Sequence, residues 1–238
     1  MHPMSALPSL TRRQLWTLIT LTLVWGLNWP IMKFGVTGFP PLTFRSLSML
    51  IGLPVLGLAL VLMKIPFRIP RSHWRELFTL AVFNMFVWHV LVILALPMLS
   101  SGRAAILGYT MPIFSAIWGV IWFNAPLRAR QWSGVAAAGV GVLLLLWNEL
   151  SHLSGQPVGV LMVLVAASTW AYGTQRLRHT PMPVPTLTIA FWMTCMTTVL
   201  LTVLACVFEQ DRWQMPAEST QWAILYNALG VFAFAQAA

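Results

Sequence analysis

LWTLITLTLVWGLNWPIMKFG, residues 15–35, decides how the chain is read. No charge lies between Arg13 and Lys33, and a helix of that length crosses a hydrocarbon core of about 30 Å. Trp25, Asn28 and Trp29 stand at i, i+3 and i+4 and share one helix face. Pro30 has no N–H for the carbonyl of Gly26 and its ring crowds that carbonyl, so the backbone there is freed and sterically open. An asparagine amide is costly in lipid, which turns the Asn28 face toward protein or water. Two readings stand: the wall of a substrate path, or a kinked bundle helix with interfacial tryptophans.

The pattern of this stretch repeats along the chain. Of 238 residues 58% are hydrophobic and 8% charged, against about 25% charged in a soluble domain, so the composition is that of an integral membrane protein. Charges bracket eight uncharged runs: 14–32, 46–63, 77–102, 104–127, 131–148, 150–175, 179–208 and 219–238. Each holds a spanning helix. When the gaps are assigned alternately to two sides, ten of the fourteen basic residues fall on the side of the N-terminus: Arg12, Arg13, Lys64, Arg68, Arg71, Arg75, Arg128, Arg130, Arg176 and Arg178. The positive-inside rule puts that side in the cytoplasm, so the net charge of +9 reflects membrane orientation and not nucleic acid binding. The first apolar run is too long for a cleaved h-region and no small-x-small site follows it, which predicts a retained span in a bacterial-type inner membrane, with the lipid bilayer as partner.

Several chemistries find no support. The five histidines form no metal-ligand spacing. No nucleotide-binding glycine motif occurs, and no cofactor is expected. Cys195 and Cys206 lie about 16 Å apart along one helix, too far for a disulfide. Membrane-embedded enzymes usually show paired acids or histidine clusters at the membrane face; here Glu76 beside His73 is all that the basic side offers.

Other candidates lie within the spans. His89 is ionisable at membrane depth, a mark of function, although a histidine bonded to a neighbouring helix serves equally. Arg45 stands near the outer end of the second span, either snorkelling to headgroups or, with Lys33, lining a polar entrance. Gly108 and Pro112, flanking Tyr109 and Thr110, repeat the Gly-x-x-x-Pro spacing of Gly26 and Pro30. Gly134, Ala138, Gly139 and Gly141 in the fifth span predict close helix packing.

The chain also repeats itself. A shift of 145 carries Trp25 onto Trp170, Pro40 onto Pro185, Leu42 onto Leu187 and Thr43 onto Thr188, and a shift of 148 carries Trp74 onto Trp222 and Leu77 onto Leu225. The sixth span thus restarts the first. A five-helix unit has odd parity, so its copy is inverted, an arrangement recurrent in secondary transporters with the site near mid-membrane between repeats. The expected organisation is an all-α, polytopic bundle: a cytoplasmic tail 1–14, a first repeat 15–147, a linker 148–157 and a second repeat 158–238. The shift of 148 would carry Trp147 to position 295, beyond Ala238, so eight helices of an expected ten are anticipated, the second repeat being incomplete.

In Trp25-Gly26-x-Asn28 with Lys33, Pro40 with Phe44-Arg45, Gly108-Tyr109-Thr110-x-Pro112, Gln131-x-x-Gly134 and Gly139-Val140-Gly141, the chain resembles the EamA-type branch of the drug/metabolite transporter superfamily, most clearly over 15–147. The resemblance implies about ten helices in two inverted repeats, and ATP-independent, generally outward movement of small metabolites, amino acids or toxic compounds. Such proteins often carry a Glu at the end of the fourth helix, where this chain has Asn124-Ala125-Pro126. The expected function is a secondary exporter whose cavity is lined by Trp25, Asn28, Trp29, Tyr109, Thr110 and Trp170, shaped by Pro30 and Pro112, with His89 titrating. A non-transporting fragment or sensor is the alternative, ahead of a lipid-modifying enzyme.

Overall fold

The computed structural model describes residues 11–151 and 157–237. Residues 1–10 of the expected tail and 152–156 of the expected linker lie outside the described residues. Among the described residues the secondary structure is helical, with no strand.

Helix α1 (Arg12–Gly35) starts on a capping box, in which the Gln14 N–H donates to Thr11 Oγ1 (3.3 Å) and the Thr11 N–H to Gln14 Oε1 (2.9 Å). It continues unbroken through Pro30. The chain turns at Gly38, whose φ of +78° would strain an L side chain. Pro41 then opens α2 (Pro41–Leu62) in the first turn, where its missing N–H is no loss. Helix α3 (Arg71–Ala95) begins with a 3-10 turn and widens to π geometry over Ala81–Phe86. Helix α4 (Ser101–Trp122) is interrupted at Tyr109 and Thr110, with Pro112 in the first turn of its second half. The two Gly-x-x-x-Pro stretches therefore differ: one leaves a continuous helix and the other divides it.

Four helices follow: α5 (Ala129–Ser151), α6 (Pro157–Arg178), α7 (Thr186–Phe208) and α8, residues 218–237, which again widens to π geometry over Asn227–Phe234. Residues 148–151, expected in the linker, continue α5. Among the described residues six helices, α1 to α4, α6 and α7, are long and apolar enough to cross a membrane.

Helix α2 packs against α3, α7 and α8; α6 packs on α3 and α4; α1 bridges α8 and α4. The closest approaches are made over glycine. A Cβ on Gly52 of α2 would lie 2.7 Å from the Ala228 carbonyl oxygen of α8, and one on Gly173 of α6 would lie 2.7 Å from the Asn84 backbone nitrogen of α3. The small residues expected to pack in α5 do not: Cβ atoms on Gly134, Gly139 and Gly141 would meet nothing within 4 Å. Helix α5 packs against α4, and no described element comes against its glycine face.

The two ends of the bundle differ. At one end the loop after α2 is held to α7 and the loop after α6 to α3: Thr188 Oγ1 donates to the Pro66 carbonyl (2.7 Å), Trp192 Nε1 to that of Phe67 (2.7 Å), and Thr180 Oγ1 to Glu76 Oε1 (2.8 Å). This end carries the basic loops. At the other, Lys33 Nζ donates to the Leu96 and Pro97 carbonyls (2.7 and 3.1 Å) at the end of α3. There too the Glu209 carboxylate, 3% exposed, accepts from the backbone N–H groups of Leu42 (3.1 Å) and Thr43 (2.8 Å) and from Thr43 Oγ1 (2.8 Å). Glu209 thus caps α2 from the far end of α7, placing negative charge on the positive end of a helix.

Candidate functional site

Between these ends lies a cavity of about 510 Å³, within the range of small-molecule sites. Its deeper walls are Trp25 of α1, Asn84, Trp88 and His89 of α3, Trp170 of α6 and Phe232 of α8. Its mouth is formed by Met63 and Ile65 after α2, Leu177 at the end of α6, Thr186 and Leu187 opening α7, and the last turn of α8. The mouth therefore faces the end that carries the basic loops. Larger hollows of about 660 and 880 Å³ lie along α1 and its neighbours, one against α8 and one at the start of α1.

Both π segments reach the cavity, Asn84 and Met85 from one and Val231 and Phe232 from the other. A π turn frees a carbonyl and recurs at functional sites. Asn84 is held by its amide, which donates to the Trp170 carbonyl (3.2 Å) and Thr174 Oγ1 (2.8 Å) on either side of Gly173. His89 Nδ1 lies 2.7 Å from the Met85 carbonyl. A carbonyl only accepts, so the proton is on Nδ1, and Nε2 has no hydrogen-bond partner among the described residues. The His89 ring rests on Phe232, 5.3 Å between centroids.

Of the residues singled out in the sequence, Trp25, His89 and Trp170 line the cavity. Trp29 lies behind the wall, edge-on to Trp88 (6.3 Å) and Tyr109 (6.4 Å), while Trp88 tilts against Trp170 (6.4 Å). These rings join α4, α1, α3 and α6 in one aromatic layer. Gly108 gives Trp29 its seat, since a Cβ there would lie 2.8 Å from the indole. Tyr109 is 56% exposed, and Thr110 is buried with its hydroxyl donating to the Leu107 carbonyl (2.6 Å). Gly26 and Pro30 are exposed on α1. Asn28 is buried and is not part of the cavity lining. Lys33 ties α1 to the end of α3. Arg45 neither snorkels nor lines an entrance: it is 3% exposed and turns inward, with Nη1 donating to Asn227 Oδ1 (3.3 Å) and Nη2 to Met32 Sδ. Asn84, Trp88 and Phe232 escaped the sequence reading. Asn84 carried the same signal as Asn28, an amide inside an uncharged run.

The EamA-like transporter family model matches residues 13–147. The chain belongs to the EamA-like transporter family. It is a multi-pass membrane protein of a transporter family. Among relatives, the uncharacterized transporter YoaV of Bacillus subtilis (strain 168) is 26% identical over 89% of this chain and 73% of its own. The uncharacterized inner membrane transporter YedA of Escherichia coli (strain K12) is 26% identical over 89% of this chain and 68% of its own. A probable amino-acid metabolite efflux pump of Escherichia coli (strain K12) is 26% identical over 65% of this chain and 50% of its own. The chain thus spans from half to about three quarters of the length of these EamA relatives. One crystal structure of a protein shares the fold, with a TM-score of 0.60 at 21% identity, over 93% of this chain and 78% of that one.

Proposed function

We propose that this chain is a secondary transporter that exports a small metabolite, amino acid or drug-like compound through the central cavity by alternating access. The observation that carries this reading is the cavity itself, walled by Trp25, Trp88, His89 and Trp170 from three helices, with Met63, Ile65, Leu177 and Thr186 of its lining at the end that carries the basic loops. In this reading the open end is cytoplasmic, which the positive-inside rule supports, and α5 and α8 cross the membrane with the other six helices. Inverted repeats are supported by the helices that widen: Ala81–Phe86 and Asn227–Phe234 overlap under the shift of 148 that relates Trp74 to Trp222. The packing of α2 on α8 is matched by that of α7 on α3, and that of α3 on α6 by α8 on α1. Trp25, Trp88 and Trp170 offer aromatic faces to the substrate. His89 Nε2 is the group proposed to exchange a proton.

The test is flux in proteoliposomes. Labelled amino acids and a lipophilic cation should move down an imposed proton or substrate gradient, and Trp170→Ala should slow uptake about tenfold, the loss of one aromatic contact. No gradient-dependent movement of any compound removes the proposal. A binding chain that does not transport is the second reading; it expects ligand binding without flux. Orientation has its own measurement. With Cys195 and Cys206 replaced by serine, Ser72→Cys in the exposed basic loop should react with an impermeant maleimide only after the membrane is permeabilised.

A further inference from the structure

Two helix junctions, one at each end of the bundle, are counterparts under the sequence repeat. At the end away from the basic loops, the end of α7 meets the start of α2. Glu209 there accepts from the Leu42 and Thr43 N–H groups and from Thr43 Oγ1. The loop beyond it adds bonds from Trp213 Nε1 to Thr43 Oγ1 (2.9 Å) and from Gln214 Nε2 to the Gly38 carbonyl (3.0 Å). At the end that carries the basic loops, the chain after α2 meets the start of α7. The shift of 145 lays one junction on the other: Pro40, Leu42 and Thr43 fall on Pro185, Leu187 and Thr188. Both helices begin after a proline that supplies no side-chain cap.

The counterparts differ in what faces those helix starts. The same shift carries Lys64 onto Glu209, so an acid at one junction is a cation at the other. The Thr43 N–H is held across its junction by Glu209, whereas the Thr188 N–H turns back onto the Pro185 carbonyl of its own turn (3.0 Å). Thr188 Oγ1 reaches a neutral carbonyl, that of Pro66, and among the described residues no carboxylate bonds to the start of α7. The cavity follows this difference. Met63, Ile65, Thr186 and Leu187, at the second junction, line it; Leu42 and Glu209, at the first, are buried and are not among its lining residues.

Glu209 also differs from the other tie at its end of the bundle. Lys33 joins α1 to α3, two helices of the first repeat, and travels with them. Glu209 joins α2 of the first repeat to α7 of the second, so rocking one repeat against the other has to release it. A carboxylate on a helix start is held by charge-assisted bonds and by the partial positive charge of the helix end; a lysine in that place is repelled by the same charge.

We infer that Glu209 is a clasp between the repeats that sets the resting direction of the cavity, and that a lysine at its counterpart, position 64, leaves the opposite junction unclasped. The inference rests on the transport reading and its inverted repeats, and it adds the device that biases them. Opening toward the far end takes Glu209 off residues 42–43. Leu187 and Thr188 then close toward position 64, where no acid holds them, and the chain returns to the clasped state.

The test moves the acid to the other junction. With Cys195 and Cys206 replaced by serine, Ala190→Cys in the α7 wall of the cavity is labelled with an impermeant maleimide in sealed vesicles of each orientation. The labelling rate from the side of the basic loops, divided by that from the other side, is the readout. In the otherwise unaltered chain the ratio should favour the basic-loop side. Lys64→Glu should lower it about tenfold, the factor of one charge-assisted hydrogen bond, and Lys64→Gln, which removes the cation without supplying a carboxylate, should lower it less. Glu209→Gln should lower it as well by loosening the first junction. Lys64 is exposed, so its replacement tests the clasp in a folded chain even where Glu209→Gln does not fold. An unchanged ratio in Lys64→Glu overturns the inference, and so does equal labelling of the unaltered chain from both sides. Labelling needs no substrate: a shifted ratio without flux removes the transporter and keeps the clasp, whereas flux with an unshifted ratio does the reverse.

Discussion

Replacing Gly173 with leucine should leave no stably folded protein. Any Cβ at this position would sit 2.7 Å from the nitrogen and Cβ of Asn84 and 2.8 Å from its Cα, and backbone cannot swing aside as a flexible side chain can. Helices α3 and α6 would have to separate along their crossing, and the two hydrogen bonds from the Asn84 amide, to Trp170 and Thr174, would break with them. Overpacking of this kind costs about 1–3 kcal/mol for a single methyl group and more for a larger side chain. Gly173→Ala should therefore lower the unfolding temperature and slow transport together, because Asn84 and Trp170 also line the cavity. Gly139→Leu is the control, with nothing within 4 Å of its added Cβ. Size-exclusion profiles after detergent extraction decide it: a sharp peak for Gly173→Leu, or a broad one for Gly139→Leu, contradicts the packing described.

Glu209→Ala should cost about 2–4 kcal/mol, the loss of a helix cap together with charged hydrogen bonds to buried N–H groups. The carboxylate serves three donors at the start of α2, and Thr43 Oγ1 in turn accepts from Trp213 Nε1 (2.9 Å). Truncation leaves the Leu42 and Thr43 amides without their acceptors, that of Leu42 in a buried position. Glu209→Gln keeps one acceptor oxygen and should lose roughly half as much. Because the group is buried, added salt should change the loss little. Thermal unfolding in detergent at low and high salt measures both effects. A Glu209→Ala chain as stable as its parent would show that α2 does not depend on this cap.

Six of the eight expected spans were legible in the sequence as helices long and apolar enough to cross a membrane, because burial in lipid demands long uncharged runs, a signal that survives without neighbours. Trp25, His89 and Trp170 were legible for a similar reason: each is a large or ionisable group at depth inside such a run. Glu209 was not, since its partners Leu42 and Thr43 lie far back in the chain and nothing local distinguishes it from Asp211 or Glu218. Arg45 was visible but its direction was not. A cation near a helix end snorkels by default, and only the packing of α8 against α2 turns it inward to Asn227. The glycines of α5 show the converse: a small-residue stripe signals a close approach only where another helix arrives, and at Gly52 and Gly173 single glycines without a stripe make that approach instead. The interruption of α4 and the continuity of α1 likewise depend on surroundings, as both carry the same Gly-x-x-x-Pro spacing.

The widened turn in α3 makes residue number, and not only residue type, part of the binding surface. Each residue of an α-helix turns the chain by about 100°. Deleting one residue within 81–86 would restore regular winding and rotate Trp88 and His89 away from the wall they now form, with every side chain of that wall still encoded. Homologues that differ by a one-residue gap here would present a different set of groups to the same space, so an alignment that slides the gap elsewhere would pair residues that never share a role.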